Sequence, residues 1–483
     1  MRTHSMTWLA AALALALAST ATAREPASHP LPVPASGVVG VEDAQLDPAF
    51  WIARLGADAD RVLLDPQQVS AANTRMQTAD KTLFDLAALP ATVTQAQARE
   101  WIEDLSSRPT RTLYDDHGQV IPAATLDGLV TAMQLDAIPA TSPLRYALVT
   151  RRAALRTFPT SLRAFTHNDD TDIDRFQESA LFPGTPVAIV HESRDKAWAF
   201  VVSPRYRAWI ETRFLAEGPR DTVLDYARKS PVRLVTGARV RTVYTPEAPA
   251  VSDVPLDMGT RLPLADVPPN VPVNGQHPYT SHAVLMPVRG DDNALRLVPT
   301  LVPKIADTAA APLPVTQANI IRQAFKFLGE RYGWGHDYDS RDCSGFVSEV
   351  YASLGLLLPR NTSDQSRSPT LQRTAFTDAS TRAERDAAVA KLHVGDLVYI
   401  PGHVMMYIGQ VDGQPYVIHD TNGGSVLGAD GKLRSMHLNA VSVTPLLPLM
   451  YDPTHRYVDR MTNIVRVATP ATDTPAEGMD AAQ

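Results

Sequence analysis

Cys343 is the only cysteine among the 483 residues of the chain. Large apolar residues follow it at helical spacing, so the sequence predicts a helix that begins at this cysteine. The free N–H groups and the dipole at a helix start favour a thiolate, which lowers the pKa of a cysteine from its usual value of about 8.5. We therefore expect a nucleophilic thiol. The apolar positions behind this prediction are Phe346, Val347, Val350, Tyr351 and Leu354.

Two histidines lie in a pattern that can serve this thiol. His403 starts an apolar run of strand type, and His419 ends the next such run. The start of one strand and the end of the next share an edge of a hairpin, so the two imidazoles can be neighbours. A thiol, an imidazole that takes its proton and a polar group that orients the ring form a nucleophilic triad. Taken singly, each has a simpler interpretation, a small buried thiol or a turn histidine; together they favour the triad.

The elements that must position these groups follow one another along the chain. A helical period runs from about residue 50 to about residue 130. Two sets of short strand-like runs follow, at about 145–230 and 231–306, and each predicts a small β-barrel. The proline-bearing stretch 303–314 predicts a linker. After it a helical pattern returns and leads to the thiol helix and the histidine strands.

Composition bounds what the protein can be. The chain is 44% hydrophobic and 20% charged, which is typical of a folded globular protein. A single cysteine excludes an intrachain disulfide and any zinc site that needs two or more thiolates. The net charge of −7, without a polybasic block, argues against a nucleic-acid partner.

The first residues are typical of a secretory signal peptide, with a basic start, an apolar run and Ala21-Thr22-Ala23 at its end. The run is too short to span a membrane, and no cysteine near the cleavage point can carry a lipid. We therefore predict no stable membrane anchor and a periplasmic or secreted location. An unpaired thiol in that oxidising compartment indicates a functional cysteine.

An ordered set of short motifs occupies the C-terminal third. In chain order they are Tyr332-Gly333-Trp334-Gly335, Asp342-Cys343-Ser344-Gly345-Phe346-Val347, Leu358-Pro359-Arg360, Gln365, Gly395-Asp396-Leu397, His403-Val404-Met405-Met406-Tyr407-Ile408-Gly409 and Ile418-His419-Asp420. This set resembles the NlpC family of cell-wall cysteine peptidases. The upstream modules resemble the multidomain branch of that family, in which a helical segment and two bacterial SH3-like domains precede the catalytic domain.

The resemblance implies a papain-like catalytic fold that needs no cofactor. It implies that Cys343 is the nucleophile, that His403 is the general base and acid, and that His419 orients His403. It further implies that Tyr332 lines the cleft and assists the oxyanion. The implied substrates are peptidoglycan stem peptides, cleaved between γ-D-glutamate and a diamino acid such as diaminopimelate, in cell-wall turnover or recycling.

Other residues match substrate-contacting positions of relatives. Asp342 and Ser344 flank the nucleophile and match such positions. In relatives the first SH3-like domain closes one end of the cleft and restricts the enzyme to short peptides with a free N-terminal L-alanine. An amine there needs an anion nearby, and Glu178 and Tyr206 are our candidates for that wall. A solvated acid and a barrel tyrosine are the alternative interpretation of this pair.

Two departures from the family pattern concern the same cleft. His336 follows Trp334-Gly335, where relatives carry a further glycine. Asn361 follows Pro359-Arg360, where relatives often carry the aspartate that anchors the substrate amine. Asparagine keeps an acceptor but loses the charge, so amine recognition requires Glu178 or Asp364 to supply the anion.

The predicted fold class is α+β. A papain-like catalytic domain follows two small SH3-like β-barrels and a helical N-terminal segment. The predicted boundaries are a signal peptide at 1–23, an arm and helical domain at 24–144, SH3-like domains at 145–230 and 231–308, the peptidase domain at 309–468 and a disordered acidic tail at 469–483.

Three alternatives stay open on the sequence. His336, Asp337, Asp339 and Asp342 could be a metal cluster, although an acidic loop that leads into a helix explains them, and we predict no metal. SH3-like domains could instead make a non-catalytic wall-binding protein. A thiol acyltransferase or transpeptidase on the same substrates would use the same triad with an amine acceptor. We predict a monomer.

Overall fold

The computed structural model describes residues 38–428 and 431–469. The predicted signal peptide, the start of the extended arm and nearly all of the acidic tail lie outside the described residues. In the part of the chain that is described, no helix has the length and apolarity needed to cross a membrane.

The N-terminal segment divides between two cores. Trp51 and Met76 join the core of the C-terminal domain, whereas Ile102 and Leu126 join a core under the first barrel. The helical period shows which face is buried but not which partner covers it. The segment's helices are α1 (Pro48–Leu55), α2 (Pro66–Ala79), α3 (Gln95–Glu103) and α4 (Ala123–Ala132), and its strands are β1 (Val62–Leu64), β2 (Thr92–Thr94) and β3 (Thr141–Pro143).

The first barrel is a seven-stranded antiparallel sheet in the order β10-β4-β7-β8-β9-β5-β6. Alternation along β8 explains how one strand serves two cores, because successive side chains point to opposite faces. Trp198 and Phe200 pack toward α3 and α4, and Ala199 and Val201 fill the barrel interior. The strands are β4 (Arg145–Val149), β5 (Ala153–Arg156), β6 (Gln177–Leu181), β7 (Pro186–Glu192), β8 (Trp198–Val202), β9 (Arg207–Glu211) and β10 (Leu215–Gly218).

Helix α5 (Arg220–Tyr226) leads into a second small β unit. Its own core includes Val235, Leu256 and Val302. Its sheets are β14-β11-β17, β12-β13 and the long hairpin β15-β16. The strands are β11 (Val232–Val235), β12 (Arg239–Arg241), β13 (Pro255–Asp257), β14 (Arg261–Pro263), β15 (Ser281–Arg289), β16 (Leu295–Pro303) and β17 (Thr308–Ala309).

The stretch 303–314 is not a linker throughout, because Thr308 and Ala309 pair with Val235 and Leu234 of β11. The linker prediction is therefore wrong for this part. The proline and alanine content signalled a break in helical structure, and backbone pairing to a strand some 70 residues earlier leaves no local sequence pattern.

The C-terminal domain packs α6 and α7 against a six-stranded antiparallel sheet, β19-β26-β20-β21-β22-β25. In addition, β18 pairs with β1 of the N-terminal segment, and β23 pairs with β24. The helices are α6 (Gln317–Phe325), α7 (Cys343–Ser353), α8 (Thr362–Arg367) and α9 (Arg382–Val389). The strands are β18 (Val315–Thr316), β19 (Gln372–Ala375), β20 (Leu397–Ile400), β21 (His403–Val411), β22 (Gln414–Thr421), β23 (Gly424–Leu427), β24 (Leu433–Met436), β25 (Ala440–Pro445) and β26 (Asn463–Arg466).

Candidate active site

The thiol stands where the sequence predicts it, at the first residue of α7. Asp342 is the N-cap, and its Oδ1 accepts a 2.8 Å hydrogen bond from the N–H of Gly345. Gly345 has to be glycine, because a Cβ there would lie 2.5 Å from Cε1 of His336. The side chain of Asp342 satisfies a helix-start N–H that has no acceptor within the helix, and so fixes the backbone that carries Cys343.

The structure brings the two histidines together on the β21–β22 hairpin, as the strand pattern predicts. Nε2 of His403 lies 2.8 Å from Nδ1 of His419, and Nε2 of His419 lies 3.0 Å from Oγ1 of Thr444 on β25. A consistent proton arrangement has each Nε2–H donating to the next group. That arrangement leaves Nδ1 of His403 able to accept a proton from a thiol. Thr444 was not predicted, since a lone threonine on a strand carries no motif.

The hairpin also reaches the thiol. The backbone N–H of Val404, the residue after His403, lies near the sulfur of Cys343 and favours its thiolate. Burial raises the pKa of the Cys343 thiol to about 12, and the Asp342 carboxylate adds to this effect. Burial also lowers the pKa of His403 to about 4. The resting pair is therefore a neutral thiol and a neutral imidazole.

This charge state corrects one sequence-based expectation. The helix start was expected to lower the pKa of Cys343, but the thiol is only 6% exposed and lies near two carboxyl groups, Asp342 and Asp420. Desolvation and like-charge repulsion outweigh the helix dipole, which acts only over the first turn. His403 must therefore remove the thiol proton as the sulfur attacks, rather than hold a preformed thiolate.

Tyr332 and His403 line one groove beside the thiol. The pKa of Tyr332 is held well above its usual range by burial and by its neighbours Cys343 and Asp342, so its hydroxyl keeps its proton and can donate. The groove continues toward the β23–β24 hairpin. Its other described lining residues include Ile400, Pro401, Thr421, Asn422, Gly423, Ser425, Ser435, Met436, His437, Met450, Tyr451 and Tyr457.

A buried polar network centred on Arg360 holds the N-terminal end of the thiol helix α7 in place. Nη1 and Nη2 of Arg360 donate to the two carboxylate oxygens of Asp342 at 3.1 and 2.8 Å, and Nη1 also donates to Oγ of Ser344 at 2.9 Å. Nη2 of Arg360 further donates to Nδ1 of His336 at 2.8 Å, and Nε2 of His336 lies 2.9 Å from Glu349 on α7. Asp342 and Ser344 are thus engaged by the protein itself. The central place of Arg360 was missed, because an arginine after a proline carries no role that spacing alone reveals.

The unusual His336 is explained by this network. Its ring is 5% exposed, sits between Arg360 and Glu349, and packs edge-on against Phe182 of the first barrel. Both ring nitrogens therefore have protein partners. Within the described ranges, no three histidine, cysteine, aspartate or glutamate residues are grouped so as to hold a metal ion.

The two residues proposed for the cleft wall contact each other. The hydroxyl of Tyr206 donates to Oε2 of Glu178 at 2.6 Å, and the side chain of Asn361 lies beside Tyr206. Nδ2 of Asn361 donates to Oδ2 of Asp364 at 3.1 Å. The structure thus assembles two carboxylates, an amide and a hydroxyl at one place. Burial and Glu178 raise the pKa of Tyr206 well above its usual range, so this hydroxyl remains a donor.

The first barrel is joined to the loop that precedes the thiol helix. Nε2 of Gln177 donates to the carbonyl of Gly335 at 2.7 Å, and Nε1 of Trp334 donates to the carbonyl of Gln177 at 3.1 Å. Nε of Arg360 donates to Oγ of Ser179 at 2.7 Å. Strand β6, which carries Glu178, is therefore fixed directly against the candidate site.

A helix-borne thiol packed on an antiparallel sheet, with an imidazole pair on the facing hairpin, is the arrangement expected of a papain-like fold. Comparison with family models agrees. Residues 329–440 match the NlpC/P60 family, and residues 162–211 match an SH3 domain of the SH3b1 type. The chain carries an NlpC/P60 domain in its C-terminal region, preceded by an SH3b domain, which confirms the α+β fold class. The second SH3-like barrel remains a prediction.

Two curated relatives match about a quarter of the chain or less. A probable endopeptidase p60 of Listeria seeligeri is 34% identical over 116 residues, which cover 24% of this chain and 22% of that protein. A dipeptidyl-peptidase 6 of Lysinibacillus sphaericus is 25% identical over 108 residues, covering 22% of this chain and 33% of that one. The chain therefore spans between about a fifth and a third of these two relatives.

One solved structure is similar over most of the chain. An NlpC/P60 endopeptidase from Photobacterium damselae subsp. piscicida matches with a TM-score of 0.69, covering 86% of this chain and 96% of that one. The two sequences are 18% identical, so this likeness concerns the fold. It extends the similarity beyond the C-terminal domain to the arrangement of the upstream units.

Proposed function

We propose that the protein is a cysteine endopeptidase that hydrolyses peptidoglycan stem peptides at the bond between γ-D-glutamate and a diamino acid such as diaminopimelate, in cell-wall turnover or recycling outside the cytoplasm. The observation that carries the proposal is the thiol at the start of α7 beside the His403–His419 pair, whose ring nitrogens lie 2.8 Å apart. The NlpC/P60 domain supports the substrate class, and the upstream SH3b domain supports action at the wall.

In the proposed reaction the sulfur of Cys343 attacks the carbonyl carbon while His403 takes the thiol proton. The Tyr332 hydroxyl and the N–H groups of the first turn of α7 are the donors available to the oxyanion. The C–N bond then breaks, and His403 returns the proton to the leaving amine. Water attacks the thioester with His403 as the base, which releases the new carboxylic acid and restores the thiol. His419 holds the ring of His403 in place throughout.

We further propose that Glu178 and its neighbours receive the free amine of an N-terminal L-alanine. The oxygens of Glu178 accept hydrogen bonds from Thr157 at 2.5 Å and Tyr206 at 2.6 Å, which hold the carboxylate in one position. Each carboxylate oxygen has a second lone pair for an ammonium. Asn361 and Asp364 stand next to this pair, so the charge lost at Asn361 is replaced by two nearby carboxylates.

The test compares L-Ala-γ-D-Glu-diaminopimelate with its N-acetylated form by mass spectrometry. We expect the wild-type protein to prefer the free amine and Glu178→Gln to reduce kcat/KM for it by about tenfold or more, since a charged hydrogen bond is lost. The matched control is Glu211→Gln, a glutamate of the same barrel that pairs with Arg213. Equal cleavage of the acetylated peptide by the wild type contradicts the closed cleft.

The same assay separates the alternatives. Binding to intact sacculi without any cleavage supports the wall-binding protein. A product in which an added amine replaces diaminopimelate supports the acyltransferase. Release of free diaminopimelate and L-Ala-γ-D-Glu supports the endopeptidase.

A further inference from the structure

A second cavity opens where the first barrel, the second β unit and α7 meet. Its space amounts to about 840 Å³, including the open mouth. It shares no lining residue with the groove of Tyr332 and His403. Most of its wall is apolar and comes from all three units, with Phe182 and Pro204 from the first, Met258 from the second and Ala352 from α7.

One cation in this wall lacks a partner. Within the described residues Arg205, which is half-buried, makes no hydrogen bond and no ion pair. Glu349 also lines the cavity, but its two oxygens already contact Arg341 at 2.7 Å and His336 at 2.9 Å. Burial and the like charge of Arg360 lower the pKa of Arg205 to about 10. It remains charged at neutral pH, so the cavity has an unbalanced positive charge.

A second cation lines the same wall. The guanidinium of Arg261 adds a further positive charge to the lining. A half-buried guanidinium without a protein partner, beside a mostly apolar wall, indicates a ligand that carries a negative charge.

We propose that this cavity binds the carboxylate of a small organic acid with an apolar body, such as the C-terminal carboxylate of a short peptide, with the guanidinium of Arg205 as its donor. The planar fork of one guanidinium matches a carboxylate. The apolar remainder of the wall fits a ligand whose other atoms are hydrocarbon or amide rather than a fully hydrated ion. This site is separate from the proposed peptidase reaction and does not depend on it.

The test uses the full chain carrying Cys343→Ala, so that no peptide is turned over. N-acetylalanine is titrated by calorimetry, with N-acetylalaninamide as the neutral analogue and inorganic phosphate as the competing anion. We expect N-acetylalanine to bind more tightly than either. Arg205→Met is expected to weaken its binding at least about tenfold. The control, Arg75→Met, removes an exposed arginine of α2 and leaves the affinity unchanged.

A second readout distinguishes ligand binding from a structural role. In buffer without ligand, Arg205→Met is expected to raise the melting temperature, because it removes a half-buried charge that no protein group compensates. A structural role for Arg205 predicts the opposite shift. The proposal is overturned by the absence of N-acetylalanine binding, by equal binding of the amide, by tighter binding of phosphate, or by binding that Arg205→Met does not change.

Discussion

Replacing Arg360 by methionine tests the network that holds the thiol helix. Its side chain is 4% exposed, and besides Asp342 and Ser344 it contacts Ser179 at 2.7 Å and His336 at 2.8 Å. Methionine keeps much of the length of the stem but removes every one of these bonds. Asp342 then loses its guanidinium partner while it remains buried.

The expected cost follows from the charge that is left behind. Removing one partner of a buried ion pair destabilises a protein by about 3–5 kcal/mol, because the remaining charge is uncompensated. Burial on its own raises the pKa of Asp342, and Arg360 is the main group that holds it well below the usual range. Adding Asp342→Asn removes the orphaned charge. The double variant Arg360→Met/Asp342→Asn should therefore recover about 1 kcal/mol or more of the stability lost in the single variant.

The assay is equilibrium unfolding in urea, followed by tryptophan fluorescence. The matched control is Arg367→Met, since Arg367 is exposed and donates only to the carbonyl of Ser363. We expect this control to change the free energy of unfolding by less than about 0.5 kcal/mol. A loss below about 1 kcal/mol for Arg360→Met, or a double variant at least as unstable as the single one, would contradict this role of Arg360.

Three further outcomes are expected. Asp420 is fully buried, neither carboxyl oxygen has a described partner, and burial together with Asp342 holds its pKa well above the usual range. The folded protein therefore keeps a proton on Asp420 that the unfolded chain releases above about pH 4. The free energy of unfolding falls with rising pH by about 1.4 kcal/mol per pH unit until the folded pKa is reached. Unfolding measured at several pH values should show that Asp420→Asn flattens this slope and is more stable at pH 7. Because the pKa of His403 is about 4 and the base must be neutral, kcat/KM should stay level down to about pH 5, whereas a limb centred near 6.5 contradicts this state. His419→Ala should lower kcat about 100-fold or more with little change in KM. Thr444→Val should lower kcat much less, because it leaves the hydrogen bond between the two imidazoles intact. Equal losses of kcat in a steady-state assay would show that the hydrogen bond from His419 to Thr444 matters as much as the one from His403 to His419.

The local sequence pattern was sufficient to predict the thiol helix and the histidine hairpin. The apolar residues after Cys343 predict where α7 begins, although the fold buries nearly every residue of this helix. The apolar run that His403 starts and the one that His419 ends predict consecutive strands, and the start of one and the end of the next share a hairpin edge. These features depend on neighbours in sequence, which is why the sequence could predict them.

Long-range pairing could not be predicted in the same way. The helical period of α2 and α3 shows a buried face on each, yet one packs on the C-terminal domain and the other under the first barrel. Strand β1 pairs with β18, about 250 residues later, with no matching motif. The pKa of Cys343 was predicted in the wrong direction, because burial depends on the whole fold whereas the helix dipole is visible in the local sequence.

The proposed function requires that Cys343 carries out hydrolysis of a stem peptide. Its most direct test incubates L-Ala-γ-D-Glu-diaminopimelate with the chain lacking residues 1–23 and with its Cys343→Ala variant, and separates the products by liquid chromatography and mass spectrometry. We expect L-Ala-γ-D-Glu and free diaminopimelate from the first protein and none from the variant, which should unfold at the same urea concentration. The same products from Cys343→Ala, or an uncleaved peptide with the intact thiol, contradict the proposed function.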